Sequence, residues 1–273
     1  MDAAAWLQIG TTWLLDAGFA WLVGSSCARH WMPKRGARPA EIASSLRHCD
    51  LAAVGLVATG TGVGLLATTA AMAGVGLREA APMLWTMVCN TDYGRAACIT
   101  LLAIAAIFLV RIADARGRAS STAVAGMLLA FALTRASMGH AGANGCWTIP
   151  LAADVLHFSA IGLWIGTVMV SAWFVLVDGR ATTFCVHATD RYLKQMSQAA
   201  LLAVVAITAT GAYSSWNRVG TFDHLFNTDY GTTLLIKVGL VLVAIFLGAY
   251  NKLFGLPAAA RSASGLRLVR TIL

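Results

Sequence analysis

Long stretches without charged residues dominate the chain. No Asp, Glu, Lys or Arg occurs in residues 51–77, 155–177 or 195–217. Each stretch exceeds the roughly 20 residues that a helix needs to cross the hydrocarbon core of a bilayer. Residues 96–110 and 119–134 are also uncharged, and the arginines that flank these shorter stretches can extend toward the membrane surface. The five stretches therefore predict membrane-spanning helices.

Two more apolar stretches, at the beginning of the chain and near its end, each contain one charge inside the predicted span, Asp16 and Lys237. With them, the pattern predicts about seven spans, at roughly 5–27, 50–74, 95–113, 119–137, 154–177, 195–216 and 232–254. Hydrophobic residues make up 58% of the chain and charged residues 12%, whereas soluble domains are about 25% charged. The predicted fold class is all-α, a polytopic membrane helical bundle in a lipid bilayer.

The net charge of +8 is distributed unevenly. Fifteen of the 20 basic residues fall in loops on one side of the predicted membrane, and the opposite loops contain four: Arg78, Arg95, Arg135 and Arg218. Basic loops stay in the cytoplasm, so the N-terminus is predicted to be periplasmic and the C-terminus cytoplasmic, in a bacterial inner (plasma) membrane. The basic surplus is a topology signal and predicts no nucleic-acid partner.

One five-residue sequence, NTDYG, occurs twice, at 90–94 and 227–231. Each copy precedes a predicted span, and four spans separate them, so both lie on the same side of the membrane. We infer a duplication into two parallel repeats. The predicted divisions are a four-helix N-terminal repeat 1–138, a periplasmic loop 139–153, a C-terminal repeat 154–257 and a cytoplasmic tail 258–273. The second repeat has three spans, so we expect an eighth either to lie beyond Leu273 or to be absent.

The repeated sequence has two interpretations. Thr91 or Asp92 can cap the following helix, Gly94 can permit a tight turn, and the tyrosines suit the membrane interface. Alternatively, the acidic and tyrosine side chains of both copies contact the substrate on its path: Asp92, Tyr93, Asp229 and Tyr230.

The predicted outer side combines histidine with sulfur ligands. The candidate metal ligands are His140, His157, Met138 and Cys146. Imidazole binds both Cu(I) and Cu(II), and thioether and thiolate favour Cu(I), so this set predicts copper and not calcium or magnesium. Met83, Met87 and His224 are weaker candidates, because methionine near an interface usually serves packing.

Asp154, His157 and Trp164 follow at helical spacing and share one helix face. Asp154 lies one turn before His157, so its carboxylate can accept the second N–H of a metal-bound ring. The alternative places both side chains in the headgroup region, solvated and without a function.

A charge in the middle of a bilayer requires a partner or water. We therefore expect Asp16 to pair with Lys237 or with His157 around one polar cavity, although Lys237 can instead extend toward the surface. On the inner side, two His–Asp pairs are interpreted as a solvated rim, with a metal exit site as the alternative: His48 with Asp50, and His187 with Asp190.

These motifs, in this order, resemble those of the copper resistance protein D (CopD) family. Gly139-His140-Ala141, Asp154-x-x-His157 and Trp164-Ile165-Gly166 are similar to its GHA … D-x-x-H … W-x-G run. Residues 191–257 resemble its C-terminal domain, with Thr210-Gly211, Thr228-x-Tyr230-Gly231, Lys237, Asn251 and Pro257 in the expected order. The direct resemblance covers roughly residues 138–257.

The resemblance implies an inner-membrane protein of copper uptake or tolerance that binds a copper ion and is not an enzyme. It also implies a periplasmic copper-binding partner of the CopC type, and it points to His140, Asp154, His157 and Trp164 as site residues. Copper is then expected to enter at the periplasmic mouth and to pass between the repeats beyond Asp16. No GxxxxGK[ST] motif occurs, so movement must follow a gradient or a partner.

Two alternatives stay open. The protein can be a membrane subunit that docks or senses a periplasmic copper carrier without transport. It can also be a b-type haem electron-transfer protein, which needs axial histidines at matched depth in the spans. Only His157 lies clearly inside a predicted span, which disfavours haem.

Overall fold

The structure is a computed structural model that describes residues 3–32, 37–115, 117–139, 148–175, 186–219 and 226–255. Its described part is helical and contains no β-strand. The helices are α1 (Ala3–Trp31), α2 (Ala37–Ala73), α3 (Leu77–Ala80), α4 (Leu84–Asn90), α5 (Asp92–Ile112), α6 (Arg118–Ser137), α7 (Ile149–Val170), α8 (Val186–Val219) and α9 (Asp229–Tyr250). A 3₁₀ turn joins α3 to α4, and wider helical turns extend α7 through Val175 and α9 through Gly255.

Six of these helices are long and apolar enough to cross a membrane, judged by length and composition within the described residues: α2, α5, α6, α7, α8 and α9. The polytopic helical bundle is therefore confirmed. The prediction of about seven spans included α1, which is not among these six. α1 has 29 residues and extends roughly 44 Å, but it contains the polar residues Gln8, Thr11, Thr12 and Asp16. Its membrane crossing stays a prediction, as does the total count.

The helix that carries Asp154 and His157 begins earlier than the sequence pattern predicted. α7 starts at Ile149, inside the stretch 139–153 that was expected to be loop. The Thr148 hydroxyl accepts a hydrogen bond from the Leu151 amide at 3.4 Å, and Pro150 occupies the first turn, where its missing N–H costs nothing. Asp154 and His157 therefore lie in the second and third turns of α7 and not at its entry.

α1 is the central helix of the bundle and packs against α2, α6, α7 and α8. Its closest approach is to α7, where Gly24 meets Gly166 backbone to backbone and a Cβ on either glycine would overlap the other helix. Close approach at small residues is the usual way in which helices associate in lipid. This crossing packs a helix of the predicted N-terminal repeat, 1–138, against a helix of the predicted C-terminal repeat, 154–257.

Both copies of the repeated pentapeptide begin a helix with the same cap. The Thr91 hydroxyl accepts from the Gly94 amide at 3.0 Å, and the Thr228 hydroxyl accepts from the Gly231 amide at 3.0 Å. Gly94 also lies against the backbone of α4, where a Cβ would overlap the Met87 carbonyl. The predicted threonine cap is confirmed for Thr91, whereas Gly94 serves close packing in the first helical turn. The duplication itself stays a prediction.

The last helix has few buried side chains. In α9, Gly231 is buried, whereas Ile236, Leu240 and Phe246 are among the large apolar residues that are exposed. Apolar side chains in this position suit contact with lipid.

Candidate functional site

Two polar contacts join α7 to α8 near the N-terminal end of α7. The Nδ1 atom of His157 lies 2.9 Å from the Thr210 hydroxyl oxygen, and the Ser214 hydroxyl donates to Asp154 Oδ1 at 3.4 Å. Asp154 and His157 are three residues apart and share a helix face, while Ser214 and Thr210 are four apart on the opposing helix. The four residues form an α7–α8 polar ladder, the name used below for this set.

The sequence predicted that Asp154 can accept the second N–H of His157, and this stays a prediction. The hydrogen bonds that the structure gives for these two side chains run to Ser214 and Thr210 of α8. A single sequence shows which residues share a face of α7, but it does not show which residues of α8 oppose them. Asp154 still lies one turn from the ring, near enough to stabilise a positive charge there.

An apolar layer closes the ladder on its inner side. Ala160, Ala203 and Ile207 are buried together, and Trp164 packs against this cluster half-buried. Trp164 therefore belongs to this apolar layer. Farther along the same helix pair, the Tyr192 and Ser171 hydroxyls lie 2.8 Å apart in a buried contact.

The other candidate ligands are not brought to His157 in the described part of the chain. His140 and Cys146 lie outside the described residues, as does the weaker candidate His224. Met138 ends α6 and packs with the buried cluster that contains Leu65 and Met87. Among the residues that the structure describes, no group of three or more His, Cys, Asp or Glu could hold a metal ion.

A cavity of about 200 Å³ lies between α1, α2, α5 and α6. Hydroxyl and amide side chains form much of its wall: Gln8, Thr11, Thr12, Thr61, Thr68 and Thr100. Tyr93, Arg135 and Met138 complete its polar and sulfur-containing lining. The cavity lies toward the N-terminal end of α1, the end that the charge pattern predicts to be periplasmic.

Asp16 pairs with Arg135 beside this cavity. The Arg135 Nε lies 3.3 Å from Asp16 Oδ1, and the side chains are 28% and 43% exposed, so both remain accessible. The expected pairing of Asp16 with Lys237 or His157 was wrong, because α6 packs against α1 and brings its own cation to the carboxylate. Lys237 lies exposed on α9.

Tyr93 faces the cavity through a short chain of hydrogen bonds. The Gln8 amide donates to Thr68 at 3.4 Å, and the Thr68 hydroxyl donates to the Tyr93 oxygen at 3.2 Å. The tyrosine is half-buried, and its position at the membrane interface stays a prediction.

The remaining pathway candidates lie at helix starts. Asp92 is fully exposed and pairs with Arg95 at 3.1 Å within the first turn of α5. The backbone of Asp229 and Tyr230 forms the first turn of α9, and their side chains lie outside the described residues.

Three phenylalanines close the inner side of the cavity. Phe19 of α1 stacks on Phe131 of α6 with ring centroids 5.0 Å apart and on Phe158 of α7 at 4.5 Å. Phe131 also lines the cavity, and both Phe19 and Phe131 are almost completely buried. We call these residues the phenylalanine stack. Since Phe131 lines the cavity and Phe158 adjoins His157 in the chain, the stack extends from the cavity wall to the α7–α8 polar ladder.

Asp50 is the centre of a charged cluster that sequence reasoning missed. Its carboxylate is 0% exposed and lies 3.1 Å from Arg29 and 2.8 Å from Arg111, and Trp21 Nε1 donates to it at 3.0 Å. The Arg111 guanidinium also donates to Ser26 at 2.8 Å. The cluster joins α1, α2 and α5 on the far side of the phenylalanine stack.

The solvated rim predicted for the inner side is therefore wrong for Asp50. His48 does lie exposed, with its Nδ1 3.0 Å from the Ser44 carbonyl, and the side chains of His187 and Asp190 lie outside the described residues. An arginine at the end of an apolar helix has the same sequence signature whether it extends to the surface or pairs inside. One sequence feature did point to this cluster: Arg29, Asp50 and Arg111 each lie near the inner end of a predicted span.

Comparison with known families assigns the chain. Residues 1–150 match the family model described as "Copper resistance protein D-like, N-terminal domain", and residues 190–273 match the model described as "Copper resistance protein D". The chain belongs to the copper resistance protein D family. It is thus a multi-pass membrane protein of a copper resistance family, and the resemblance seen in its motifs is confirmed.

Two relatives carry names that concern copper. A copper transport protein, CutJ, of Bacillus subtilis (strain 168) is 29% identical over 163 residues, which cover 58% of this chain and 29% of the relative. A copper resistance protein D of Pseudomonas syringae pv. tomato is 26% identical over 190 residues, which cover 67% of this chain and 61% of the relative. The chain thus spans less than two thirds of either relative's length. No solved structure matches the chain.

The two family models leave residues 151–189 between them, and this interval contains Asp154, His157 and Trp164. Thr210 and Ser214, which contact the first two, lie in the matched copper resistance protein D region. The α7–α8 polar ladder therefore connects the unmatched interval to the family's C-terminal domain.

Proposed function

We propose that the protein is a copper permease of the bacterial inner membrane, which accepts copper at the periplasmic face and moves it toward the cytoplasm. Membership of a copper resistance family supports a copper substrate. The observation that carries the proposal is the position of His157. Its imidazole lies between the predicted spans α7 and α8 and contacts Thr210 of α8, and the carboxylate of Asp154 lies one helical turn away. Polar groups at such depth are costly and usually serve function.

The chemistry of the entry site follows from this geometry. The His157 imidazole supplies a nitrogen ligand, and the Asp154 carboxylate offsets the positive charge of the ion. We propose His140, Met138 and Cys146 as the further ligands, since imidazole and sulfur together complete a set that copper prefers. Trp164 and the apolar layer around it limit how far the ion descends between α7 and α8.

Further movement requires a change in the packing of the bundle. The phenylalanine stack lies between the entry site and the cavity, and the Asp50 cluster closes the opposite end. We propose that copper passes the Asp16–Arg135 pair after the rings separate, with the hydroxyl-lined cavity offering water to the ion. On this proposal Tyr93, Asp92, Lys237, Asp229 and Tyr230 serve helix entry or the path and bind no metal. Transport of this kind breaks no covalent bond, so the protein is not an enzyme.

A periplasmic copper-binding protein of the CopC type is proposed as the donor. The predicted periplasmic ends of α1, α5 and α7 present the entry site and the cavity on the same side of the bundle. A carrier that docks there could transfer copper directly to imidazole without releasing the ion into water.

The test is the double substitution His140→Ala and His157→Ala. Loss of two imidazoles should lower copper affinity by more than the roughly 10–100-fold that loss of an outer-shell partner costs. Copper binding is measured on purified protein, and cellular copper content is measured by elemental analysis. His48→Ala is the matched control, because that ring lies exposed on the inner side. Unchanged binding and unchanged content in the double variant would show that the site is wrong.

A docking or sensing subunit without transport is the second candidate. The phenylalanine stack and the Asp50 cluster favour it, because stacked rings and a buried set of ion pairs fill two levels of the described helices. Copper flux into proteoliposomes, measured with and without a CopC-type carrier, separates the two. Flux above that of protein-free vesicles supports the permease, and carrier binding without flux supports the docking subunit.

A further inference from the structure

The hydrogen bonds of Thr210 determine how the His157 ring is protonated. A threonine hydroxyl has one hydrogen to donate and two lone pairs to accept with. The Thr210 hydroxyl donates to the carbonyl of Ala206 at 2.5 Å, with Ile207 at 3.3 Å as a longer partner. Its single hydrogen is thereby directed at the helix backbone.

In the contact between Thr210 and His157, the threonine oxygen must consequently be the acceptor. The His157 Nδ1 lies 2.9 Å from the Thr210 oxygen, and with the hydroxyl hydrogen committed to the backbone, Nδ1 has to be the donor. In the neutral ring only one nitrogen carries hydrogen. Nε2 therefore keeps its lone pair, and a lone pair is what a metal ion binds.

The surrounding packing holds the ring in this orientation. Gly211, the next residue of α8, lies beside the ring, and a Cβ there would be in ordinary van der Waals contact with His157 Cε1 at 3.5 Å. The ring is half-buried, and its neighbour Phe158 is fixed by stacking on Phe19. A 180° rotation of the imidazole about its Cβ–Cγ bond would put Cδ2 in the place of Nδ1 and break the contact with Thr210.

The equivalent threonine of the first repeat supplies an internal comparison. Thr61 lies in the Thr-Gly-Thr-Gly stretch that parallels Thr-Ala-Thr-Gly at 208–211, and its hydroxyl also donates to a backbone carbonyl four residues earlier, Val57, at 2.8 Å. The backbone bond is thus common to both threonines. Thr61 lines the cavity, and the hydrogen bond to a histidine is recorded for Thr210.

We propose that Thr210 is a positioning residue that fixes His157 as the Nδ1–H tautomer and so makes Nε2 the copper-binding atom. The inference rests on the proposed function only in naming copper as the ion. The tautomer itself follows from the hydrogen bonds of the protein alone. A hydroxyl that orients a metal-binding imidazole acts as carboxylates and carbonyls do at other metal sites.

The first measurement needs no substitution at Thr210. The ¹⁵N chemical shifts of His157 in purified full-length protein, assigned by difference from His157→Gln, report which nitrogen carries hydrogen. The expected result is a protonated Nδ1 and an unprotonated Nε2 in the copper-free protein. A spectrum that shows Nε2–H in the wild-type protein overturns the inference, whatever any variant does.

The second measurement uses variants of matched shape. Thr210→Val keeps the volume but removes the acceptor, and it should lower copper affinity about 10–100-fold and release the tautomer preference. Thr210→Ser should keep both properties. Thr208→Val, the control on the same helix, should change neither, because the exposed Thr208 hydroxyl donates only to a backbone carbonyl in the described contacts, that of Val204 at 2.9 Å. Circular dichroism and thermal unfolding confirm that each variant is folded.

The outcomes distinguish the inference from the proposed function. If His157→Gln abolishes copper binding but Thr210→Val retains both wild-type affinity and wild-type tautomer, the positioning role is wrong and the permease site stands. If His157→Gln leaves copper binding unchanged, the proposed site is wrong, and the ¹⁵N spectra alone still decide the tautomer.

Discussion

Asp16 and Asp50 both lie on apolar helices and both pair with arginine, but their surroundings differ. Asp16 has one partner and a side chain that is 43% exposed beside the cavity. Asp50 is 0% exposed and contacts two guanidinium groups and an indole N–H. A buried carboxylate with several partners is sensitive to the loss of its charge, because the opposing cations are then left uncompensated. On the proposed function, the accessible Asp16 carboxylate can contact the passing ion. The Asp50 carboxylate holds α1, α2 and α5 together.

Asp50→Asn is therefore expected to destabilise the protein strongly. Removing the carboxylate charge leaves Arg29 and Arg111 facing each other in a buried site, which costs about 3–5 kcal/mol where one partner of a buried pair is removed. The measurement is the thermal unfolding midpoint in detergent. Asp92→Asn is the control, since that carboxylate is fully exposed and its pair should contribute little. Equal midpoints for the two variants would contradict a structural role for Asp50.

At the scale of helices, the bundle depends on close contact between α1 and α7. Gly24 and Gly166 bring the two backbones together, and α1 and α7 run in the same direction, because Phe19 contacts Gly162 while Gly24 contacts Gly166. The α7–α8 polar ladder is positioned by this contact, since α7 has α1 on one side and α8 on the other. α1 needs a small residue at this crossing and also at Gly18, where a Cβ would overlap Val57 of α2.

Gly24→Ala tests the crossing. The added methyl group overlaps the Gly166 carbonyl, so the helices must separate and the folded protein is expected to lose stability. Gly10→Ala is a matched control on the same helix, because nothing lies within 4 Å of a Cβ there. The control should be neutral or stabilising by about 0.5–1 kcal/mol, as alanine favours helix over glycine. Thermal unfolding that showed equal effects for both would rule out a tight α1–α7 contact.

The sequence predicted the helices, and the residues that share a helix face, better than it predicted which residues contact each other between helices. Uncharged runs mark spans reliably, because backbone groups in lipid must be satisfied within a helix, and Thr91 was recognisable as a cap. The partners of Asp16 and His157 were not, because helical spacing shows which side chains share a face and leaves the opposing helix unspecified. Arg111 was misjudged for a related reason, since buried and surface-seeking arginines look alike in sequence.

At the scale of the whole molecule, the phenylalanine stack and the Asp50 cluster lie at successive levels along α1. Thr12 lines the cavity on the side of the phenylalanine stack that is predicted to be periplasmic, and Ser25 is fully buried beyond it. On the proposed function, these two layers close the path of copper in this state.

Accessibility of introduced cysteines tests both the closure and the orientation. With the native cysteines replaced by serine, Thr12→Cys should react rapidly with a membrane-impermeant thiol reagent added from the periplasmic side. Ser25→Cys should remain protected from either side, since its position is 0% exposed. Reaction of Thr12→Cys only from the cytoplasmic side would reverse the predicted orientation.

The meeting of Gly24 with Gly166 has a mechanical consequence. Two helices whose backbones meet at one crossing, with no side chain between them there, can tilt about that crossing but cannot separate at it without losing the contact. Any tilt that widens the gap between α1 and α7 above the glycines narrows it below them. One pair of spin labels can be placed on α1 and α7 on each side of the crossing. When the helices tilt, the α1–α7 distance should increase for one pair and decrease for the other.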